Sequence, residues 1–407
     1  YYDGGRTYDS SPQPMIYPLL EDYAANGGWL GCYPQLTPSW RIVSPWSCPH
    51  FIRFRLTEFV DKRLSCLAGY VVPDNRLFDV QVSAAAEWSW NAHGRDERAF
   101  MTAWATRQGF DRPDAVATWA TTLGPAAWDL YGARFVERYL FHPQSLASLL
   151  TTRQALPYGQ AFLAQIPDAA RLHANRDACA AALTLALEVG SPAMVAESRA
   201  VLAYYDMVIA LGRLCDVLAD NRTPASERRD ALQEHLNRLA LAGCQNQDAL
   251  RDWERAVAVG SGGGRLRESI EATAGTVHAL AKALAPHGLR NPAPMVMGQP
   301  IGGWSAEDFR ESAAIVREWE VTPFLVAPGT YEVTFQYSSG WNGLQTSRAA
   351  LVSWPRDGAD AARVEVSADA HPGTTGHRSS GNVYTLVLSS LDPDRRYAVV
   401  AEIRGTR

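Results

Sequence analysis

Three kinds of hydrophobic patterning follow one another along the chain. Up to about residue 95, short apolar runs alternate with amphipathic stretches. Ile16, Leu19, Leu20 and Tyr23 share one face of a helix predicted from Met15 to Asn26, and Asn26-Gly27-Gly28 supplies the turn residues that stop it. Trp29-Leu30-Gly31-Cys32-Tyr33 is short and almost wholly apolar, as expected of a strand buried on both faces of a parallel sheet. A loop rich in Pro, Ser and Trp runs from Pro34 to His50, and helical spacing returns from Phe51 to Leu64 through Ile52, Phe59 and Val60. Leu67 to Val72 predicts a second strand, stopped by Pro73-Asp74-Asn75, and Phe78 to Trp90 an alanine-rich helix. Tyr1-Tyr2-Asp3-Gly4-Gly5 reads as the tail of an earlier strand, so the chain is expected to be a piece of a longer protein.

From residue 96 to about 290 the period is helical. Asp96 is placed to cap a helix carrying Phe100 and Trp104, with Gly109 at its end. Pro113 opens a second helix, with Val116, Trp119, Ala120 and Leu123 at helical spacing before Gly124, which is expected to stop it. Ser191-Pro192 and Thr223-Pro224 repeat the signature of a cap followed by proline, and Val201, Tyr205, Val208, Ile209 and Cys215 mark the face of a long helix. Leu232, Leu236 and Leu239 mark another, which together predict an antiparallel bundle. Prolines crowd the stretch from Pro286 to Ile301. Beyond it the period falls to two, in Tyr331, Val333, Phe335 and Tyr337, in Tyr384, Leu386 and Leu388, and in Tyr397, Val399, Ala401 and Ile403. The expected class is a multidomain α/β, all-α and all-β protein. Residues 1–95 would be the C-terminal units of a (β/α)8 barrel, 96–290 a helical domain, 291–300 a linker and 301–407 a β-sandwich.

Composition narrows the function. A net charge of -5 argues against a nucleic-acid binder, whose phosphate contacts need a basic surface. No apolar run is long enough to span a membrane. The six cysteines form no C-x-x-C pair and have no histidine at zinc-ligand spacing, so neither metal nor cofactor is expected. A disulfide among Cys32, Cys48 and Cys66 stays open beside the alternative of free thiols. Ser261-Gly262-Gly263-Gly264 lacks the Lys-Ser/Thr of a phosphate loop and is expected to be a helix connection.

In a barrel, ligand groups stand at the C-terminal ends of strands. Those ends deliver Asp3, then Tyr33 and Gln35, then Asp74 and Asn75, while the Pro34–His50 loop adds Trp40 and Trp46. Aromatic faces beside Asp, Asn and Gln suit a carbohydrate, whose C–H faces stack on rings while its hydroxyls take directional hydrogen bonds. The competing reading makes Trp40 and Trp46 a cover for the rim and Asp74-Asn75 a plain turn.

The run Ala84-Ala85-Ala86-Glu87-Trp88-Ser89-Trp90-Asn91, after a strand and a Pro-Asp-Asn turn and leading into helices, resembles the closing unit of barrel glycoside hydrolases of the α-glucuronidase and β-N-acetylglucosaminidase-like families. The resemblance covers about the first 130 residues. It implies a barrel with a helical domain and a β-sandwich appended, a carbohydrate substrate, and principal acid residues on middle strands absent from this chain. Hydrolysis needs two carboxyl groups flanking the bond. Asp3 is the candidate catalytic or substrate-orienting carboxylate; Tyr33, Gln35, Trp40, Trp46, Asp74 and Asn75 are the candidate substrate floor. Glu87 is expected to be structural. The compartment stays open; a secreted or periplasmic setting is one alternative, as for many glycan-degrading enzymes, and six cysteines permit it without requiring it. The alternative is a non-catalytic carbohydrate-binding or scaffolding protein.

Overall fold

The computed structural model describes residues 18–32, 36–38, 43–64, 66–67, 69, 71, 75–220, 222–257, 263–292, 314–325, 327–335, 343–358, 361–375 and 382–406. The chain divides into two compact units, Tyr1–Met297 and Gly298–Arg407.

The first unit begins with α1 (Pro18–Ala25), β1 (Gly31–Cys32), α2 (Pro49–Asp61), β2 (Cys66–Leu67) and α3 (Asp79–Trp90). β1 and β2 pair in parallel, Gly31 opposite Cys66 and Cys32 opposite Leu67, with α2 as the crossover between them. This is a β/α unit of the kind the alternating pattern predicts. α2 opens on Pro49, where a missing N–H costs nothing, and packs on α3 through Phe51, Ile52, Leu56 and Phe59 against Ala84 and Trp88. Trp88 is fully buried, donates its indole N–H to the Arg95 carbonyl at 3.0 Å, and lies 4.9 Å from the Phe100 ring.

Helices continue as α4 (Glu97–Arg107), α5 (Pro113–Gly132), a π-helical turn over Phe135–Leu140, α6 (Gln144–Thr151), α7 (Ala169–Val189), α8 (Pro192–Ala219), α9 (Ala225–Val257) and α10 (Gly263–Leu284). The Asp96 carboxylate accepts from the Ala99 N–H at 2.7 Å, and the Ser191 hydroxyl accepts from the Met194 N–H at 3.5 Å, so both caps form as their sequences predict. Gly109 adopts a φ of 77°, the left-handed turn that ends α4. Val201, Tyr205, Val208 and Cys215 are buried along α8, and Leu232, Leu236 and Leu239 along α9.

One expectation is corrected here. α5 does not stop at Gly124 but runs through Pro125 to Gly132. The carbonyls beside the proline take donors from outside the helix: Cys48 Sγ donates to Gly124 O at 3.3 Å and Tyr205 Oη to Ala126 O at 2.7 Å. Residues 1–95 and the helical region share buried side chains. One continuous core joins Leu36, Phe51 and Trp88 to Val116, Leu130, Tyr204, Leu236 and Leu280.

In the second unit, β3 (Ile315–Glu320), β9 (Arg395–Thr406), β5 (Gly343–Pro355) and β6 (Val364–Asp369) form an antiparallel sheet in that order, with β7 (Gly373–Thr375) also on β5. β4 (Gly329–Phe335) and β8 (Asn382–Leu388) form a second antiparallel pair. Leu386 and Leu388 of β8 share a core with Leu351, Tyr397 and Val399 of the larger sheet, so alternate residues of both layers face inward. Tyr384 Oη donates to the carbonyls of Thr346 and His371, tying the layers together. Trp341 and Tyr337 lie outside the described residues.

Candidate functional site

The connection from the C-terminal end of β1 to α2 spans residues 33–48, and its final part, Val43-Ser44-Pro45-Trp46-Ser47-Cys48, is where the structure concentrates its polar chemistry. Two prolines, Pro45 and Pro49, keep this segment out of a helix and leave it without a backbone ladder of its own. Yet most of it is buried. Its polar groups must therefore find partners elsewhere, and helical side chains supply them.

From α5, Tyr131 Oη donates to the Pro45 carbonyl at 3.1 Å and meets Ser44 Oγ at 2.7 Å. On α3, Gln81 Oε1 accepts from the Cys48 N–H at 3.1 Å. From α8, Glu197 takes both donors of Ser47: the N–H reaches Oε1 at 2.5 Å and the hydroxyl reaches Oε2 at 2.9 Å. Beside it Ser198 Oγ accepts the Trp119 indole N–H at 2.8 Å and donates to Met194 O, which fixes this turn of α8 against α5.

Glu197 is only 5% exposed. Burial raises its carboxyl from the ordinary 4.5 to about 7, against the opposing pull of the two Ser47 donors. Burial likewise pushes the Cys48 thiol and the Tyr131 phenol upward, so both stay neutral. Cys48 is a free thiol, which excludes it from the disulfide left open by the sequence. The side chains of Cys32 and Cys66 lie outside the described residues.

Among the residues expected to touch substrate, Trp46 is corrected. At 3% exposure it offers no open face; its ring stacks on Phe51 at 5.2 Å and meets Tyr131 edge-on at 5.9 Å. The stretch is a loop, as its Pro/Ser/Trp composition predicts, but Ser44 and Trp46 are drawn inward by hydrogen-bonding and ring partners on α5 and α2. Asn75 opens a 3-10 turn, Asn75–Phe78, leading into α3. Asp3, Tyr33, Gln35, Trp40 and Asp74 lie outside the described residues. Glu87 has the structural role expected of it, facing Arg95 at 3.3 Å.

A groove of about 380 Å³ lies beside the parallel pair, lined by Leu36, Gly69, Val71, Val82, Ala85, Ala86 and Ser89. Among the described residues that line it, Ser89 carries the one side-chain hydroxyl. Among the described residues no His, Cys, Asp and Glu group is arranged to hold a metal, and no helix is long and apolar enough to cross a membrane.

Glu197, Ser47, Tyr131 and Gln81 were not singled out by sequence. A signal for Glu197 was there: it is the one charge between Met194 and Ala200-Val201 on the apolar face of α8. Neither protein-family models nor curated proteins give any match to the chain.

Proposed function

We propose that this chain is the C-terminal part of a carbohydrate-active enzyme that hydrolyses glycosidic bonds by acid/base catalysis, its first β/α units contributing to a barrel wall. The observation that carries the reading is the parallel register of β1 and β2 around α2, followed directly by α3. In such units substrates bind over the C-terminal strand ends. The connection leaving β1 at that end is the one anchored by Tyr131, Gln81 and Glu197. An anchored connection suits a substrate floor, because a site held by locked side chains loses little order on binding.

In this reading Asp3 acts as a catalytic or orienting carboxylate, and Tyr33, Gln35, Trp40, Asp74 and Asn75 form the floor. Trp46 supports the floor from beneath. A second carboxyl group completes the pair that flanks the scissile bond.

Hydrolysis of a panel of nitrophenyl glycosides by the full-length protein tests the proposal, with Asp3→Asn and Trp40→Ala as variants. Turnover that falls at least about a hundredfold in Asp3→Asn, and a raised KM in Trp40→Ala, are expected. Unchanged turnover in Asp3→Asn removes that residue from the mechanism. Glycan binding without turnover of any substrate by the full-length protein would replace the enzyme with a carbohydrate-binding module.

A further inference from the structure

A buried carboxylate normally has a cation or a set of donors large enough to replace its water shell. Glu197 has neither. Its only partners among the described residues are the N–H and hydroxyl of a single residue, Ser47, and no cation pairs with it. Ser47 belongs to the connection between β1 and α2, whereas Glu197 sits on α8, 150 residues away in sequence. The contact is thus a clasp between a loop and a scaffold.

We propose that Glu197 is a proton-operated latch: its neutral carboxyl holds Val43–Cys48 against α8, and its ionisation, with no cation paired to it among the described residues, favours opening of that segment. The neutral acid keeps both contacts, with Oε1 accepting the Ser47 N–H and a protonated Oε2 donating to Ser47 Oγ. The anion keeps both as acceptor but bears the cost of burial, which only water reached by opening can relieve.

Among the described residues the surrounding groups do not compensate it. In the segment itself Cys48 is a neutral thiol, and on α5 Tyr131 is a neutral phenol. Tyr204, two turns along α8, is also held neutral by burial. On α2, burial lowers the His50 imidazole below its ordinary range, while Arg53 is engaged by Glu97 of α4 at 2.8 Å. α3 presents the uncharged Gln81. Arg199, two residues beyond Glu197, is turned to Asp252 of α9 at 3.9 Å, where both are substantially exposed. Asp129 of α5, which acts on Cys48, is itself paired with Arg171 at 2.8 Å.

The clasp and its burial support the latch without reference to activity; only its consequence, a substrate floor that loosens as pH rises, rests on the function proposed above. With the closed carboxyl at about 7 and the opened one at its ordinary 4.5, opening should grow on the order of tenfold between about pH 6 and about pH 8. Hydrogen exchange on the full chain measures it, with labelling times scaled to the intrinsic rate at each pH. The expected result is that protection of the peptide spanning Val43–Cys48 stays below that of the buried helices, that it falls about tenfold over that interval, and that Glu197→Gln removes the dependence. Equal scaled protection at both pH values in the wild type overturns the latch, whether or not the variant folds. So does protection of Val43–Cys48 as high as that of the buried helices, which would report opening only by global unfolding, or a dependence that survives in Glu197→Gln. None of these readouts requires glycosidase activity, so the failure of either proposal leaves the other standing.

Discussion

Replacing Tyr131 by Phe deletes one oxygen and asks how much of the β1-to-α2 connection is held by α5. Tyr131 Oη donates to Pro45 O at 3.1 Å, so the 2.7 Å contact with Ser44 is donated by the serine. Tyr131→Phe therefore strands a carbonyl and a hydroxyl together, both in a region closed to water: Ser44 is 0% exposed and Tyr131 3%. Each stranded group costs about 1–3 kcal/mol, giving roughly 2–4 kcal/mol once some relaxation is allowed. The ring contacts to Trp46 at 5.9 Å and Tyr204 at 6.4 Å survive, so no large cavity adds to the loss. For domains of about 150–250 residues this corresponds to a Tm lowered by about 5–10 °C. Thermal melting followed by far-ultraviolet circular dichroism, which is dominated by the helical first unit, measures it. Tyr23→Phe is the control, since Tyr23 is 54% exposed and its substitution should stay within about 0.5 kcal/mol. If Tyr131→Phe melts with the control, the segment is hydrated and the anchoring argument fails.

Three further substitutions probe separate parts of the reasoning. Gly124→Ala should gain up to about 1 kcal/mol of helix propensity, but its new Cβ would stand 2.8 Å from His50 Nδ1; a net loss of about 1–2 kcal/mol in urea unfolding is expected, and a stabilised variant would show that His50 yields freely. Asp96→Ala removes the carboxylate that accepts the Ala99 N–H and should cost about 1 kcal/mol by the same measurement, with Asp96→Asn losing much less. Glu197 has a carboxyl raised in the folded state, so the fold binds more protons than the unfolded chain between about pH 4.5 and 7; stability is favoured below that window and falls as pH rises through it, by up to about 3 kcal/mol. Calorimetry at about pH 5 and pH 8 should show that decline in the wild type and a flatter profile in Glu197→Gln; parallel profiles would refute the assignment.

What the sequence disclosed and what it concealed divide along a physical line. Caps, stops and periods are local: Asp96 and Ala99 are three residues apart, and the alternation of Tyr384, Leu386 and Leu388 is set by the strand's own pleat. Such features were legible, including the helix in Asp79–Trp90 and the parallel character of the two short strands around α2. Gly124 looked like a stop because glycine is unfavourable inside a helix. It proved otherwise because the face carrying Trp119, Leu123, Ala127 and Leu130 is buried on both sides of it, and tertiary packing outweighs local propensity.

The same line explains the site. A Pro/Ser/Trp stretch reads as a loop when only its own composition is considered, and nothing within it satisfies the backbone. Ser44 and Ser47 are buried or partly buried because Tyr131 and Glu197 arrive from 87 and 150 residues away. Trp46 then serves as packing against Phe51 rather than as a stacking platform. The one sequence signal for this arrangement was an inconsistency, a glutamate on the apolar face of α8. An apolar replacement at Glu197 would suit that face better and would leave the Ser47 N–H and hydroxyl without acceptors. A carboxyl group satisfies Ser47 but makes the contact dependent on its proton. A residue that violates its own helix's pattern to close a distant loop is therefore where pH enters this fold.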